Sequence, residues 1–524
     1  MIWILLTGLL AGLSLPSSFG SIHLPNLGGL AWVSLIPLYL SLRRQISQNP
    51  KNQKTSFKYG FLFGVGLYSV SLYWIFIAMY HYGEVPAWGS FLGVAVVVFF
   101  LSAYVGAAAS LAVFLSQYAP VWVVFPMAWV GQDFVRTYFP FGGFPWSSLG
   151  YSQSASIHLL QILDLTGIYG LTFLILLGNV FFGELWLWFQ KREKFPKACF
   201  VMGVLLFSLS LIYGSYRYHR EKTEAAKYPT LKVVLIQGNI AQEDKWIEEK
   251  VEEILARHMA MSEEATQDRK PTLILWPEAA YPVVMPPDMK RVRLLNDLTV
   301  PLLMGVVSYR GTIPKDWPPS PDDTDFTLYN SAFLISPGGL IEDHYEKIHL
   351  VPLGEYVPMG RLLFFLNKIV PSISSFTAGQ ALNLMSVREH KFGVTICYED
   401  LFPSISRGFT EKGADFLVNL TNDGWYEKSS ALYQHFDFSR FRAIENRRSM
   451  VRVTNTGITG VFSPTGEVIA EAPLFQQSIL TVDVPVGGEL SLYTRFGDFF
   501  AWGCVVTLGL LLVGKYMWRH HHGE

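Results

Sequence analysis

Cys397 has the side chain best suited to nucleophilic chemistry. It stands in Gly393-Val-Thr-Ile-Cys-Tyr-Glu-Asp-Leu-Phe-Pro403, where an apolar strand ends and Pro403 fits the first turn of a following helix. Such a strand–turn–helix corner exposes a nucleophile, and a helix N-terminus favours a thiolate. By itself, a cysteine on an apolar strand reads as a buried packing residue. Two further constellations change that reading. Leu275-Trp-Pro-Glu-Ala-Ala-Tyr-Pro282 places Glu278 just after an apolar strand, between prolines that fix the backbone. Tyr345-Glu-Lys-Ile-His-Leu-Val-Pro-Leu-Gly-Glu-Tyr-Val-Pro358 carries Lys347 and Glu355 in another rigid, irregular stretch. Singly, Glu278 and Lys347 read as solvated surface charges. Together, the types suffice for acyl chemistry: a carboxylate takes the thiol proton, the thiolate attacks a carbonyl, and an ammonium with backbone N–H groups holds the oxyanion.

These residues need a scaffold, and the stretch from 222 to 489 supplies one of ordinary composition. Apolar runs at 232–237, 272–276, 302–308, 331–336, 393–397, 415–420 and 450–454 read as buried strands. Helix-like stretches at 244–264 and 430–447 lie among them. Alternation of this kind predicts a layered α/β domain with largely buried sheets.

The rest of the chain is different. Of 524 residues, 50% are hydrophobic, 15% aromatic and 16% charged, against about 25% charged in a typical soluble domain. The mean hydropathy of +0.28 argues against disorder. A net charge of -1 gives no bulk attraction to nucleic acid. Eight apolar stretches, at 2–19, 27–42, 59–80, 88–115, 121–135, 165–189, 198–213 and 496–517, are read as membrane helices. The fifth is interrupted by Gln132 and Asp133. The first lacks the basic flank of a signal peptide and is read as retained. Basic residues cluster at 43–58, at 191–197 and after the last stretch, while 137–164 holds no Lys or Arg. Eight crossings put all three clusters on one side, the cytoplasmic one. The polar domain between helices seven and eight then faces outside, with both termini inside. Domain limits of 1–217, 218–490 and 491–524 follow.

Three cysteines cannot form a disulfide framework. Cys199 and Cys504 fall in apolar helices and pack there as small hydrophobes. The histidines are scattered without paired ligand spacing, and His520-His-His522 is too short for a metal site, so neither metal nor cofactor is expected.

In their order and contexts, Glu278, Lys347 and Cys397 resemble the Glu-Lys-Cys triad of the nitrilase (carbon–nitrogen hydrolase) superfamily. Trp276-Pro-Glu278, Gly354-Glu-Tyr-Val-Pro358, Cys397-Tyr-Glu399, Asn422-Asp-Gly-Trp425, Asn455-Thr-Gly457 and Phe144-Pro-Trp146 are similar, more closely, to the apolipoprotein N-acyltransferase family. That resemblance implies a nitrilase-like αββα sandwich inserted between helices 7 and 8 of an eight-helix membrane domain. It implies Glu278 as general base, Lys347 as oxyanion stabiliser and Cys397 as acyl-accepting nucleophile. Glu355 would position or stabilise the acyl intermediate, Tyr398 and Glu399 would flank the nucleophile, and Trp246 would handle substrate. Gly424 is a mild departure from the family's Asn-Asp-x-Trp pattern. The activity implied moves a fatty acyl chain from a membrane phospholipid, through a cysteine thioester, to the α-amino group of a diacylglyceryl-cysteine on a bacterial apolipoprotein. The enzyme would act as a monomer in the inner membrane.

The residues themselves favour lipid substrates, because a hydrolase of small soluble amides gains nothing from eight membrane helices. A membrane-tethered amidohydrolase stays open as the alternative, with water as acceptor. A transporter or scaffold is disfavoured, since no apolar helix carries the several ionisable residues of a transport path. Residues 359–370, apolar and basic, are read either as a membrane-touching lid or as a core helix. The aromatic loop at 139–146 is read either as an interfacial belt or as part of a lipid entrance.

Overall fold

The computed structural model describes residues 1–49, 52–267, 270–286, 288–312, 326–357 and 376–522, the last eight by backbone alone. The stretch 359–370 and the side chains of the terminal histidines lie outside these.

Among the described residues, thirteen strands lie between the seventh and eighth apolar segments: β1 (Thr230–Gln237), β2 (Leu273–Leu275), β3 (Tyr281–Met285), β4 (Leu302–Gly311), β5 (Phe326–Ile335), β6 (Ile341–Glu346), β7 (Met385–Val387), β8 (His390–Ile396), β9 (Phe416–Thr421), β10 (Ser449–Thr454), β11 (Gly460–Phe462), β12 (Val468–Glu471) and β13 (Ser478–Pro485). They form two sheets. One runs β13-β1-β2-β4-β5-β6, with β3 paired to β4, and the other β12-β11-β10-β9-β8-β7. In each, the middle is parallel: β1, β2 and β4 in one, and β8, β9 and β10 in the other.

Alternation along the strands builds the layers. Val233, Leu235, Leu273, Leu275 and Leu303 join a core with Val394, Val418 and Val451 of the opposing sheet. Their neighbours Val234, Ile236, Ile274, Leu302 and Met304 pack instead with Leu255, Met261 and Ala265 of the helix Val251–Gln267. Helices Pro403–Glu411 and Ser430–Asn446 cover the second sheet. The result is the αββα order that the resemblance implied.

The parallel strands end in the same region. Glu278 stands three residues beyond β2, and Cys397 directly beyond β8. Crevices at the carboxyl ends of parallel strands are where α/β sheets bind ligands.

All eight apolar segments contain helix, with different bounds from those expected. Helices Ala87–Leu115, Leu163–Phe189 and Lys197–Ala225 are long and apolar enough to cross a membrane. A fourth span results if Gln53–Ser71 and Trp74–Tyr82, bent by 54°, count as one. The first helix stops at Leu13, ahead of Pro16, and the chain turns into a short hairpin at Ser18–Phe19 and Ile22–His23. The second begins as a 3-10 turn at the Gly28-Gly29 pair and becomes α-helical only at Ile36–Gln48.

Two other boundaries moved for electrostatic reasons. The helix Val121–Tyr138 runs through Gln132 and Asp133 because the Asp133 carboxylate pairs with buried Arg136 at 2.9 Å. Lys197–Ala225 extends past the apolar run because its polar end docks on the catalytic domain. Arg217 pairs with Asp164 at 2.8 Å, Asp164 also holds Arg447 at 2.7 Å, and Lys222 pairs with Glu467.

The aromatic loop is exposed at one end and buried at the other. Phe139 is 66% exposed, whereas Trp146 is buried and donates to Gln434 Oε1 at 2.6 Å. Trp146 also meets Phe438 edge-on, so this loop joins the membrane part to the helix Ser430–Asn446.

Candidate active site

Glu278 reaches the crevice because Trp276-Pro277 ends β2 abruptly and Ala279 takes a positive φ of 46°. The turn lies flat on β4 at Gly305, where a Cβ would come within 2.5 Å of the Glu278 Cα. Only glycine admits that approach. Lys347 directly follows β6, and its N–H bonds Asn330 of β5 at 2.8 Å.

The charged side chains meet around Asn330. Its Nδ2 donates to Glu278 Oε1 at 2.7 Å and to Glu355 Oε1 at 2.9 Å. Lys347 Nζ donates to Glu355 Oε1 at 2.9 Å and stands 4.0 Å from Glu278 Oε1. Glu355 is braced in turn by the N–H of Val351. All three charged groups are buried. Burial works against the Lys347 charge, but Glu355 and Glu278 outweigh it and hold the ammonium above its usual value.

Cys397 closes the constellation. It is 6% exposed and takes a positive φ of 51°, opening a 3-10 turn, Cys397–Leu401. The following α-helix starts at Pro403, as the sequence predicts, with a 3-10 turn between it and the sulfur. The short turn, rather than a long helix dipole, therefore faces the sulfur. Its leading N–H groups have no acceptor within the turn and are suited to an oxyanion. Burial, then the neighbouring Glu278, pushes the Cys397 thiol up, with Lys347 pulling the other way. The upward shift from burial fits the sequence reading in which a neighbouring carboxylate takes the thiol proton.

A layer beneath fixes this strained residue. The Cys397 carbonyl accepts from Asn419 Nδ2 at 3.3 Å and faces His435 Nε2 at 3.2 Å. His435 Nδ1 lies 2.8 Å from Asp423 Oδ1, and Arg452 donates to the other Asp423 oxygen at 2.8 Å. Arg452 also donates to Asn419. Burial opposes the Asp423 charge, yet Arg452 and His435 bring this carboxyl down to about 2.

The residues flanking Cys397 brace rather than react. Glu399 is fully buried and accepts from the N–H groups of Ile396, Ile348 and His349 and from Tyr345 OH. It thus ties the nucleophile turn to the Lys347 segment. Tyr398 OH donates to the carbonyl of Gly143 in the aromatic loop. Trp246 is 50% exposed in the turn between the 3-10 elements Gln242–Asp244 and Glu248–Lys250. Its segment is anchored by Asn455, which exchanges bonds with Ile240, and by Asn422, which donates to Gln242. The Asn-Asp-Gly-Trp and Asn-Thr-Gly motifs therefore do structural work around the site.

Reading the sequence missed Asn330, Asn419, His435, Arg452 and Lys245. The first four look like unremarkable polar positions in strands and a helix. Lys245 sits in Glu243-Asp-Lys245, which reads as a solvated charge run. It is instead 3% exposed, with Nζ donating to the Glu278 carbonyl at 2.7 Å. Among the described residues no group of three or more His, Cys, Asp or Glu could hold a metal.

Residues 7–181 match the family described as "Apolipoprotein N-acyltransferase N-terminal domain", and residues 232–489 match "Carbon-nitrogen hydrolase". A protein of Geobacter metallireducens named "Apolipoprotein N-acyltransferase" is 37% identical over 99% of this chain and 95% of its own length. A Chlorobaculum tepidum protein of the same name is 30% identical over 97% and 95%. A solved nitrilase-superfamily structure from Saccharomyces cerevisiae overlays 49% of this chain and 90% of its own, with 18% identity and a TM-score of 0.36. With identity at this level along almost the full length, and two family matches falling on the membrane part and on the sandwich, the chain belongs to the apolipoprotein N-acyltransferase family.

Proposed function

We propose that this enzyme transfers an acyl chain in two steps through Cys397. In the first, Glu278 takes the thiol proton and the sulfur attacks the ester carbonyl of a membrane phospholipid. The tetrahedral oxyanion is held by the Lys347 ammonium and the leading N–H groups of the 397–401 turn. Collapse breaks the ester C–O bond, Glu278 returns the proton to the departing glycerol oxygen, and a lysophospholipid leaves. In the second step, the neutral α-amino group of a diacylglyceryl-cysteine on the apolipoprotein attacks the thioester. Glu278 accepts the N–H proton, the C–S bond breaks, and the proton passes to the sulfur. An amide and free thiol result.

One observation carries this reading: Glu278 and Glu355 share the Asn330 amide, Lys347 Nζ donates to Glu355 and stands 4.0 Å from Glu278, and the buried Cys397 thiol interacts electrostatically with Glu278 and Lys347. A positioned base contributes about 10²–10⁴-fold, and an oxyanion donor about 10²–10³-fold. Glu355 keeps the Lys347 ammonium aimed, and exposed Trp246 is proposed to meet the lipid substrates.

The domain limits of 1–217, 218–490 and 491–524 and the eight crossings belong to the same proposal, with the catalytic domain outside the inner membrane and both termini cytoplasmic. Arg43 supports this orientation, since it pairs with both Glu184 and Glu193 and so draws two basic clusters to one end of the helices.

Intact-mass measurement after incubation with phospholipid tests the chemistry. The wild type should gain one acyl mass on Cys397, and Cys397→Ala none. Adding a lipopeptide amine should discharge the adduct as amide. Acylated Cys397→Ala, or release as free fatty acid with the amine present, would overturn the assignment and favour the hydrolase.

A further inference from the structure

The mechanism above leaves one buried charge without work. Lys245 lies inside the site at 3% exposure, and its one hydrogen bond among the described residues goes to the backbone carbonyl of Glu278 at 2.7 Å. No carboxylate among them lies within ion-pair distance of its Nζ, whereas Lys347, equally buried, has two. Taking an ammonium out of water without a counter-ion is costly. Chains retain such groups where they perform chemistry.

The surroundings indicate which chemistry. Glu278 faces Lys245 from the turn after β2, and Cys397 from the nucleophile turn. His258 faces it from the helix Val251–Gln267, where burial brings the imidazole down to about 4 and leaves it neutral. On its own segment, Asp244 is already paired with Lys250. Glu278, Glu355 and Lys347 alone would leave a net negative cavity beside a thiol that must become an anion. Lys245 restores the balance.

We propose that Lys245 is a positioning residue of the acyl transfer, fixing the backbone of the Glu278 base and supplying the second cation that makes thiolate formation at Cys397 feasible. The proposal rests on the thioester reading above for its purpose. Burial brings the Lys245 ammonium down to about 8, against the pull of Glu278 and Cys397. Its cation is therefore present below about pH 8 and lost above, within the range where the enzyme can be assayed. The segment also ends in Trp246, so a substrate touching Trp246 pulls on the residue that holds the base.

The test uses the full-length enzyme, with iodoacetamide as the probe of thiolate at Cys397 and peptide mass as the readout. Lys245→Met should alkylate about tenfold more slowly at neutral pH, the effect of raising the thiol by one pH unit. Lys245→Arg should stay within about twofold of wild type, because arginine keeps its charge. The wild-type rate profile should bend near pH 8 as Lys245 discharges, and that bend should vanish in Lys245→Arg. Wild-type rates in Lys245→Met, or a bend that persists in Lys245→Arg, would overturn the proposal. If Lys245→Met fails to fold, the arginine profile alone decides. Should the profiles behave as expected while phospholipid leaves no acyl adduct on wild-type Cys397, the thioester reading fails and the Lys245 assignment stands.

Discussion

Replacing Asp423 by asparagine should damage this enzyme out of proportion to the single oxygen changed. The carboxylate is fully buried between His435 at 2.8 Å and Arg452 at 2.8 Å. Bringing a carboxyl from its ordinary value down to about 2 corresponds to roughly 2–3 kcal/mol of stability. The sign follows from the direction. A depressed folded value means that the contribution is complete above about pH 4 and drains away as pH falls toward 2. Asparagine removes it at every pH and leaves the Arg452 guanidinium, at 0% exposure, with only the Asp400 carboxylate 3.9 Å away as a counter-ion, which raises the penalty to about 3–5 kcal/mol. For a domain of this size, that is a melting shift of about 10 °C. Activity should fall as well, because His435 loses the partner that aims it at the Cys397 carbonyl. Misplacement by about 1 Å costs on the order of 10²-fold. Thermal melting in detergent and the rate of acyl-adduct formation measure the two effects. An Asp423→Asn enzyme that melts within about 1 °C of wild type and acylates at the same rate would refute this account of the layer beneath the nucleophile.

Glu355→Gln should retain the fold, since Glu278 still neutralises Lys347, while turnover drops about 10²-fold or more as the ammonium loses its aim; wild-type turnover on lipopeptide would make Glu355 structural. Glu399→Gln keeps the volume but can satisfy at most part of the four donors converging there, so the acylation rate should fall about tenfold or more, read by intact mass. Trp146→Phe removes the bond to Gln434 and should lower the melting temperature by a few degrees, for about 1–3 kcal/mol, while leaving the pH profile of acylation unchanged.

The parts legible in the sequence were those that bury their surroundings uniformly. All seven expected strands exist: six are the parallel strands at the middle of each sheet, covered on both faces, and β5, antiparallel to both neighbours, is buried along nearly its whole length. Edge strands escaped. β12 is largely exposed, and β7 has three residues, too few for a period to show. Membrane segments were located by hydropathy but not delimited by it. Asp133 was read as an interruption because its partner Arg136 contributes nothing apolar, although the pair is satisfied internally. The proposed triad is marked in the sequence by motifs, with Glu278 and Cys397 placed just beyond the strands they follow. Asn330, His435 and Lys245 carry no such mark. Their roles come from contacts across 52, 38 and 33 residues of chain, and a single sequence holds no record of those.

Burial of the nucleophile explains two features of the site at once. Enclosure raises the Cys397 thiol, which slows the first step unless a base and cations surround it. The same enclosure strengthens each of those charges, since the Lys347–Glu355 contact at 2.9 Å is shielded from water. In the proposed mechanism it also keeps water from the thioester while the second substrate arrives, which favours transfer to an amine over hydrolysis. An exposed cysteine would ionise more readily and lose its acyl group to solvent. If acyl transfer runs through Cys397 as proposed, variants that open this enclosure should shift product from amide toward free fatty acid before they lose acylation.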